Sequence, residues 1–346
     1  MTRLHSLPLL LVLALGGCDL ASGPAEPQRF RLPVDAETGA DVFFGFLPDN
    51  AADINVQHDY QCGVKARDGG VSTDLVLPSF VEMDAGVPVV AAASGAVVEA
   101  VDGHEDRYVS RDPFRPGNYV TLRHRGGFLT RYRHLRNGSV AVSPGQRVEV
   151  GALLGMVGSS GDSEWPHLSF EARTPEGQHF DPWAGPCSGG DSFWATQPEY
   201  PDRFALIAQG TTDRSITRAT IAERPPVIRS VEAGAGIGFW IQVVNRPAGL
   251  FGLRLRDPTS TTVDSLFVHR RNPGPATAVY GGRLTFPTSS LPGEWAIDYF
   301  TGDGVFVTLP FEVTSPPAAA SGAFGPGSLV AGAPVRIELI DDLESD

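Results

Sequence analysis

Tyr132-Arg133-His134-Leu135 and, further on, Pro166-His167-Leu168-Ser169-Phe170-Glu171 are the strings on which the reading of this chain turns. A third string, Asp68-Gly69-Gly70-Val71-Ser72-Thr73-Asp74, precedes them and ends in a carboxylate. Histidine and aspartate are the residue types that ligate zinc and move protons at neutral pH. Two neighbouring positions lack that chemistry. Gly70, four residues before Asp74, has no side chain, and Ser169, two residues after His167, offers a neutral hydroxyl, a poor zinc ligand.

Other strings surround them in a fixed order. They include Val87-Pro88-Val89-Val90-Ala91-Ala92-Ala93-Ser94-Gly95-Ala96-Val97-Val98 and Gly117-Asn118-Tyr119-Val120-Thr121-Leu122-Arg123-His124. Val142-Ser143-Pro144-Gly145-Gln146-Arg147-Val148 and Gly151-Ala152-Leu153-Leu154-Gly155 follow, and Asp181-Pro182-Trp183 closes the series. The glycines fall between alternating runs, where tight β turns need positive φ. In order and spacing these strings resemble the lysostaphin/LytM-type zinc endopeptidases, which cut peptide cross-links in bacterial cell walls. That family carries an HxxxD, a YxH and a PHxHF(E) string.

The resemblance implies a compact antiparallel β domain, the duplicated hybrid motif, with its site in an open groove. It also implies roles. The first histidine of HxxxD, its aspartate and the second histidine of HxH would hold zinc, leaving one position open for water. The YxH histidine and the first histidine of HxH would polarise that water and stabilise the tetrahedral intermediate. Carried over, Asp74 remains as a ligand, His134 and His167 remain as the vestigial catalytic pair, and Gly70 and Ser169 occupy the other two ligand positions. No bound cofactor is therefore expected. Zinc is expected only if another side chain substitutes, and His58, which precedes Asp59, is the first candidate. His104 falls in an expected loop with Glu105 and Asp106, His124 ends a strand where the family often has a histidine without a metal role, and His179 and His269 show no ligand spacing.

At the N-terminus, Arg3 and His5 precede an apolar run, Leu7 to Leu15, too short to span a bilayer. Leu15-Gly16-Gly17-Cys18 resembles a bacterial lipobox, so residues 1–17 are expected to be a lipoprotein signal peptide and Cys18 the lipidated end. Two cysteines then remain, Cys62 and Cys187. In an oxidising exported compartment an even pair most simply forms a disulfide, and no CxxC spacing supports a metal site.

The chain has 346 residues, with 40 Gly and 29 Pro, which favours an all-β protein of two domains with many turns. A net charge of −13 argues against a nucleic-acid binder. The arginines around the YxH string read as solvent-facing positions on a hairpin. The layout expected is a lipid-anchored tether over 18–30, the degenerate peptidase-like domain over 31–199, a linker over 200–226, an immunoglobulin-like β-sandwich over 227–314 and an Ala/Gly/Pro-rich acidic tail over 315–346. Within that tail Val335 to Leu339 has the pattern of an edge strand. The function expected is that of a bacterial cell-envelope lipoprotein, held to a membrane by its lipid, that binds peptidoglycan or regulates a cell-wall hydrolase without catalysis. The alternative is an active zinc-dependent peptidoglycan endopeptidase with an atypical site.

Overall fold

The computed structural model describes residues 29–271, 277–316 and 335–339. The signal peptide, Cys18 and most of the tail lie outside the described residues. Among those described, no helix is long and apolar enough to cross a membrane.

The first unit is built on an antiparallel seven-stranded sheet. Its elements in chain order are β1 (Phe43–Phe44), β2 (Ser72–Val76), α1 (Phe80–Ala85), β3 (Pro88–Val90), β4 (Gly95–Val101), β5 (Asn118–His124), β6 (Leu129–Leu135), β7 (Arg147–Val148), β8 (Leu153–Met156) and β9 (His167–Arg173). The sheet order is β1-β2-β9-β6-β5-β4-β7, while β3 and β8 pair separately. The strands carrying Asp74, Ser169 and the Tyr132 string are thus hydrogen-bonded neighbours, although β2 and β9 lie far apart in sequence. Val120, Leu122, Tyr132, Leu168 and Phe170 alternate inward on these strands and are almost fully buried. The short helix α1, capped by the Ser79 hydroxyl on the Val81 amide, sits between β2 and β3. It pushes Phe80 and Met83 into the same core.

Phe30, expected to end the tether, is a core residue instead. It is fully buried against Phe170, Phe193 and Trp194, and its amide donates to the Phe193 carbonyl. The Cys62 and Cys187 sulfurs are bonded, 2.08 Å apart across a separation of 125 residues. The hairpin reading of the arginines holds for β5 and β6, where Arg131 pairs with Glu99 and Arg133 with Glu171.

The expected linker over 200–226 is not a linker. It contains β10 (Ala205–Thr212) and α2 (Arg218–Ala222), because Ala208, Ile216 and Ile221 are apolar enough to be buried against Trp240. The second unit continues with β11 (Ser230–Glu232), β12 (Gly236–Val244), β13 (Gly249–Arg256), β14 (Thr262–Arg270), β15 (Thr277–Thr285), β16 (Gly293–Thr301), β17 (Gly304–Thr314) and β18 (Ile337–Leu339). One sheet has the order β10-β12-β15-β18 and the other β11-β17-β16-β13-β14. Pairing is antiparallel except for β11 with β17. Phe239, Ile241 and Val243 from the first sheet meet Leu253, Leu255, Ile297 and Tyr299 from the second in one apolar core, which makes a β-sandwich. The strand expected near the end of the chain is present as β18, on the edge beside β15.

Candidate functional site

Asp74 and Ser169 face each other across the β2–β9 pair in direct register. Ser169 Oγ donates to Asp74 Oδ1 at 2.6 Å, and Ser72 Oγ donates to the same oxygen at 2.8 Å. The carboxylate, only 6% exposed, therefore has two hydroxyl donors where a metal would otherwise neutralise it. Gly70 lies at the mouth of the same cleft, in a turn that closes with its amide on the Arg67 carbonyl. A methyl group on Gly70 would sit 2.9 Å from that carbonyl oxygen. At Gly70, the position the resemblance assigns to the first ligand, the backbone is thus folded tightly around glycine.

The two histidines are held differently. His134 is the extra residue of a β-bulge: Arg133 pairs with Tyr119 and Leu135 with Asn118, and His134 between them has φ of 64°. Bulges near sites re-aim a side chain, and a non-glycine in the left-handed region is strained by about 1–2 kcal/mol. Its Nδ1 lies 2.7 Å from the Ser160 carbonyl oxygen. A carbonyl only accepts, so Nδ1 carries the proton. Burial, then the adjacent His167 ring and the Arg133 guanidinium, hold His134 well below the ordinary imidazole range. The ring is neutral at pH 7, and its Nε2 is a bare lone pair. His167 donates from Nδ1 to the Trp165 carbonyl at 2.7 Å, with Ser163 Oγ at 3.2 Å. The ring centroids are 4.4 Å apart. Tyr132 of the same string belongs to the core: its hydroxyl accepts from the Ala92 amide at 2.8 Å, and burial pushes its pKa up to about 12.

Gly70, Asp74, His134, His167 and Ser169 line a single cleft of about 310 Å³. Arg67, Arg111 and Arg133 also line it, and each is paired: Arg67 with Glu164, Arg111 with Asp162, Arg133 with Glu171. The Arg111 guanidinium is the main reason the Asp162 carboxyl sits below its usual range. Burial pushes Glu171 up, but Arg133 and Arg173 outweigh it and leave it low. The cleft is thus polar, charge-balanced and braced on all sides.

Asp74 is the one remaining ligand-type side chain at the three expected positions, and no group of three His, Cys, Asp or Glu able to hold a metal occurs among the described residues. His58 does not step in: its side chain is exposed, with its amide on Asp49. His124 is buried elsewhere, bonded to the Ser94 carbonyl and Thr130 hydroxyl.

Several cleft residues escaped the reading of the sequence. Ser160 ties the loop together, donating from Oγ to the Leu135 carbonyl and accepting from the Asn118 amide. Ser159 and Ser163 are fully buried and bonded to each other. The signal available was the run of small residues Gly158-Ser159-Ser160-Gly161 before the Pro166 string, which has the composition of a tight turn. Arg67, Arg111 and Asp162 carry no sequence signal of their own.

Residues 80–182 match the model of Peptidase family M23. The match begins after Asp74 and contains both histidine strings. Among curated proteins the chain is similar to the peptidoglycan DD-endopeptidase ShyA of Vibrio cholerae, 34% identical over 29% of this chain and 19% of that protein. It is 38% identical to the DD-carboxypeptidase/endopeptidase Mpg of Neisseria meningitidis over 28% of this chain and 19% of that one. The chain thus spans about a fifth of the length of these relatives. Among solved structures it is similar to the catalytic domain of lysostaphin from Staphylococcus simulans, with a TM-score of 0.27 and 24% identity over 41% of this chain and 89% of that one. The order of the strings and the antiparallel sheet that brings them together agree with the family match: residues 80–182 of this chain match Peptidase family M23.

Proposed function

We propose that this protein binds peptidoglycan peptides in its M23-type cleft, or presents that cleft to a cell-wall hydrolase, without cutting the peptide itself. The observation that carries the proposal is the Asp74–Ser169 hydrogen bond, which occupies the ligand edge of the cleft with a serine hydroxyl. Gly70 supports it, since a Cβ there would sit 2.9 Å from the Arg67 carbonyl oxygen and the turn would have to shift to admit a side chain. Without a metal nothing in the cleft acidifies a water or polarises a peptide carbonyl strongly enough for hydrolysis. The retained pair, His134 and His167, still presents hydrogen-bonding imidazoles to a bound amide. Relatives named as peptidoglycan endopeptidases point to the cell wall as the setting. The Cys18 string adds a lipid anchor in a bacterial membrane of the envelope.

The test uses the purified full chain with peptidoglycan sacculi. It should sediment with them, with and without added zinc, and leave the muropeptide profile by mass spectrometry unchanged. New peptide ends that vanish with a chelator would show an active zinc endopeptidase and end the non-catalytic reading. Failure to sediment with sacculi, combined with stimulation of a cell-wall amidase, would favour the hydrolase partner over direct binding.

A further inference from the structure

The cleft does not end at the edge of the first unit. Phe46, Arg67, Asp74 and His167 also line an adjoining pocket of about 60 Å³, whose far wall is Arg218, Thr277 and Val279. Those three residues come from α2 and β15. That volume has room for about two waters at ~30 Å³ each, or one small aliphatic side chain.

The wall is built into the fold rather than resting against it. Arg218 donates to Glu164 at 2.8 Å, and Glu164 also accepts from Arg67 at 3.0 Å, so one carboxylate ties the two sides of the pocket together. Arg107 bridges Asp84 of α1 and Glu223 at the end of α2. Arg224 pairs with Glu82. Exposed ion pairs contribute little individually, but the apolar seam beneath them is continuous. Ile221 is buried in the cluster with Trp240 and Val279, against which Trp165 of the M23 domain packs, while the adjacent Ala222 is buried in the core of the first unit. On another part of the seam, the Lys65 ammonium bonds the Asn245 side chain.

The geometry points to a two-domain binding site: the sandwich supplies the second wall of the cleft, and a peptide lying past His167 places a small aliphatic side chain between the two domains. This inference rests on the peptide-binding reading above and assigns the sandwich a part in recognition. The surfaces suit such a ligand. Phe46, Val76, Trp165 and Val279 give apolar contact for such a side chain.

The test measures binding of a soluble cross-linked muropeptide to the full chain by calorimetry. Thr277→Trp, which fills the pocket from the sandwich side, should weaken binding at least tenfold. Ser265→Trp, on the exposed strand β14, should leave it unchanged. Hydrogen exchange on the wild-type complex gives a second readout that needs no variant. Protection should appear in peptides covering 215–224 and 277–282 as well as in those covering 67–76 and 162–170. Protection confined to the latter two, or full affinity in a folded Thr277→Trp, overturns the two-domain site while leaving the cleft as a binding site. No muropeptide binding by the wild type overturns both readings.

Discussion

The two units bury different things. The M23-bearing unit encloses Asp59, Lys65, Asp74, His124, His134 and Glu171, together with the serines around the cleft, whereas the sandwich core is almost wholly aliphatic and aromatic, with Asp298 and Arg246 its main charged exceptions. Burying a polar group costs free energy unless it is hydrogen-bonded, so such groups persist where something other than stability retains them. In the first unit Asp74, His134 and Ser169 lie on the cleft, while Asp59, Lys65 and His124 are buried away from it. In the sandwich such groups serve the sheet itself, as where Asp298 accepts from Arg254 and Arg256. One unit buries titratable side chains as well as apolar ones; the other buries mostly apolar ones.

The comparison breaks most visibly if the first unit does not depend on its cross-link. Cys62→Ser with Cys187→Ser frees a 125-residue loop, which the chain-entropy model values at about 4–5 kcal/mol. Calorimetry should show the first unit melting earlier in the variant while the sandwich transition barely moves. Equal shifts in both would mean that the seam through α2 couples them into one cooperative unit.

Restoring the missing ligands sharpens it next. Gly70→His with Ser169→His should raise zinc affinity by more than about 100-fold, beyond what changes around an intact ligand set usually achieve. The structure adds a condition: the new Cβ at position 70 collides with the Arg67 carbonyl, so the turn must open. Such overpacking costs roughly 1–3 kcal/mol. Ser169→His alone should therefore be well tolerated yet bind zinc weakly. Tight zinc binding by the unaltered protein would contradict the account of the cleft.

Lys65 offers a test through pH. It is 9% exposed, and burial pushes its ammonium down to about 7, against the opposing pull of Asp59 and Asp202. Its folded pKa lies below the unfolded one of 10.5, so between pH 7 and about 10 the unfolded chain binds more protons. Stability should therefore rise across that window, and the penalty of the buried charge is complete below pH 7. Each kcal/mol recovered moves the melting temperature by about 2–4 °C. Lys65→Met should flatten the rise; an unchanged slope would show that another group causes it.

The smallest effect concerns the bulge. If His134 is strained at φ of 64°, His134→Gly should be more stable than His134→Ala by about 1 kcal/mol, because glycine accepts that conformation without a Cβ penalty. Both variants lose the bond to Ser160. Chemical denaturation resolves the difference, and a more stable alanine variant would place His134 in ordinary strand geometry.

Much of this was legible in the residues. The alternating runs, the glycine turns and the order of the strings specify an antiparallel β domain, because side-chain period and turn chemistry are local properties. The identities at 70, 74 and 169 set which donors those positions offer, since donor chemistry belongs to the residue itself. Cysteine parity likewise names the Cys62–Cys187 bond. What tertiary structure alone decided is non-local. The Ser169 hydroxyl meets Asp74 only because β2 and β9 pair in that register, and Gly70 is closed to a side chain only because its turn tightens onto Arg67. Residues 205–222 have the polarity of a connector when read alone. They become strand and helix because Trp240 and Trp165 offer them an apolar surface, and that packing sets the sandwich against the cleft. Composition records what each residue is able to do; burial and register, which depend on partners distant in the chain, decide what it does.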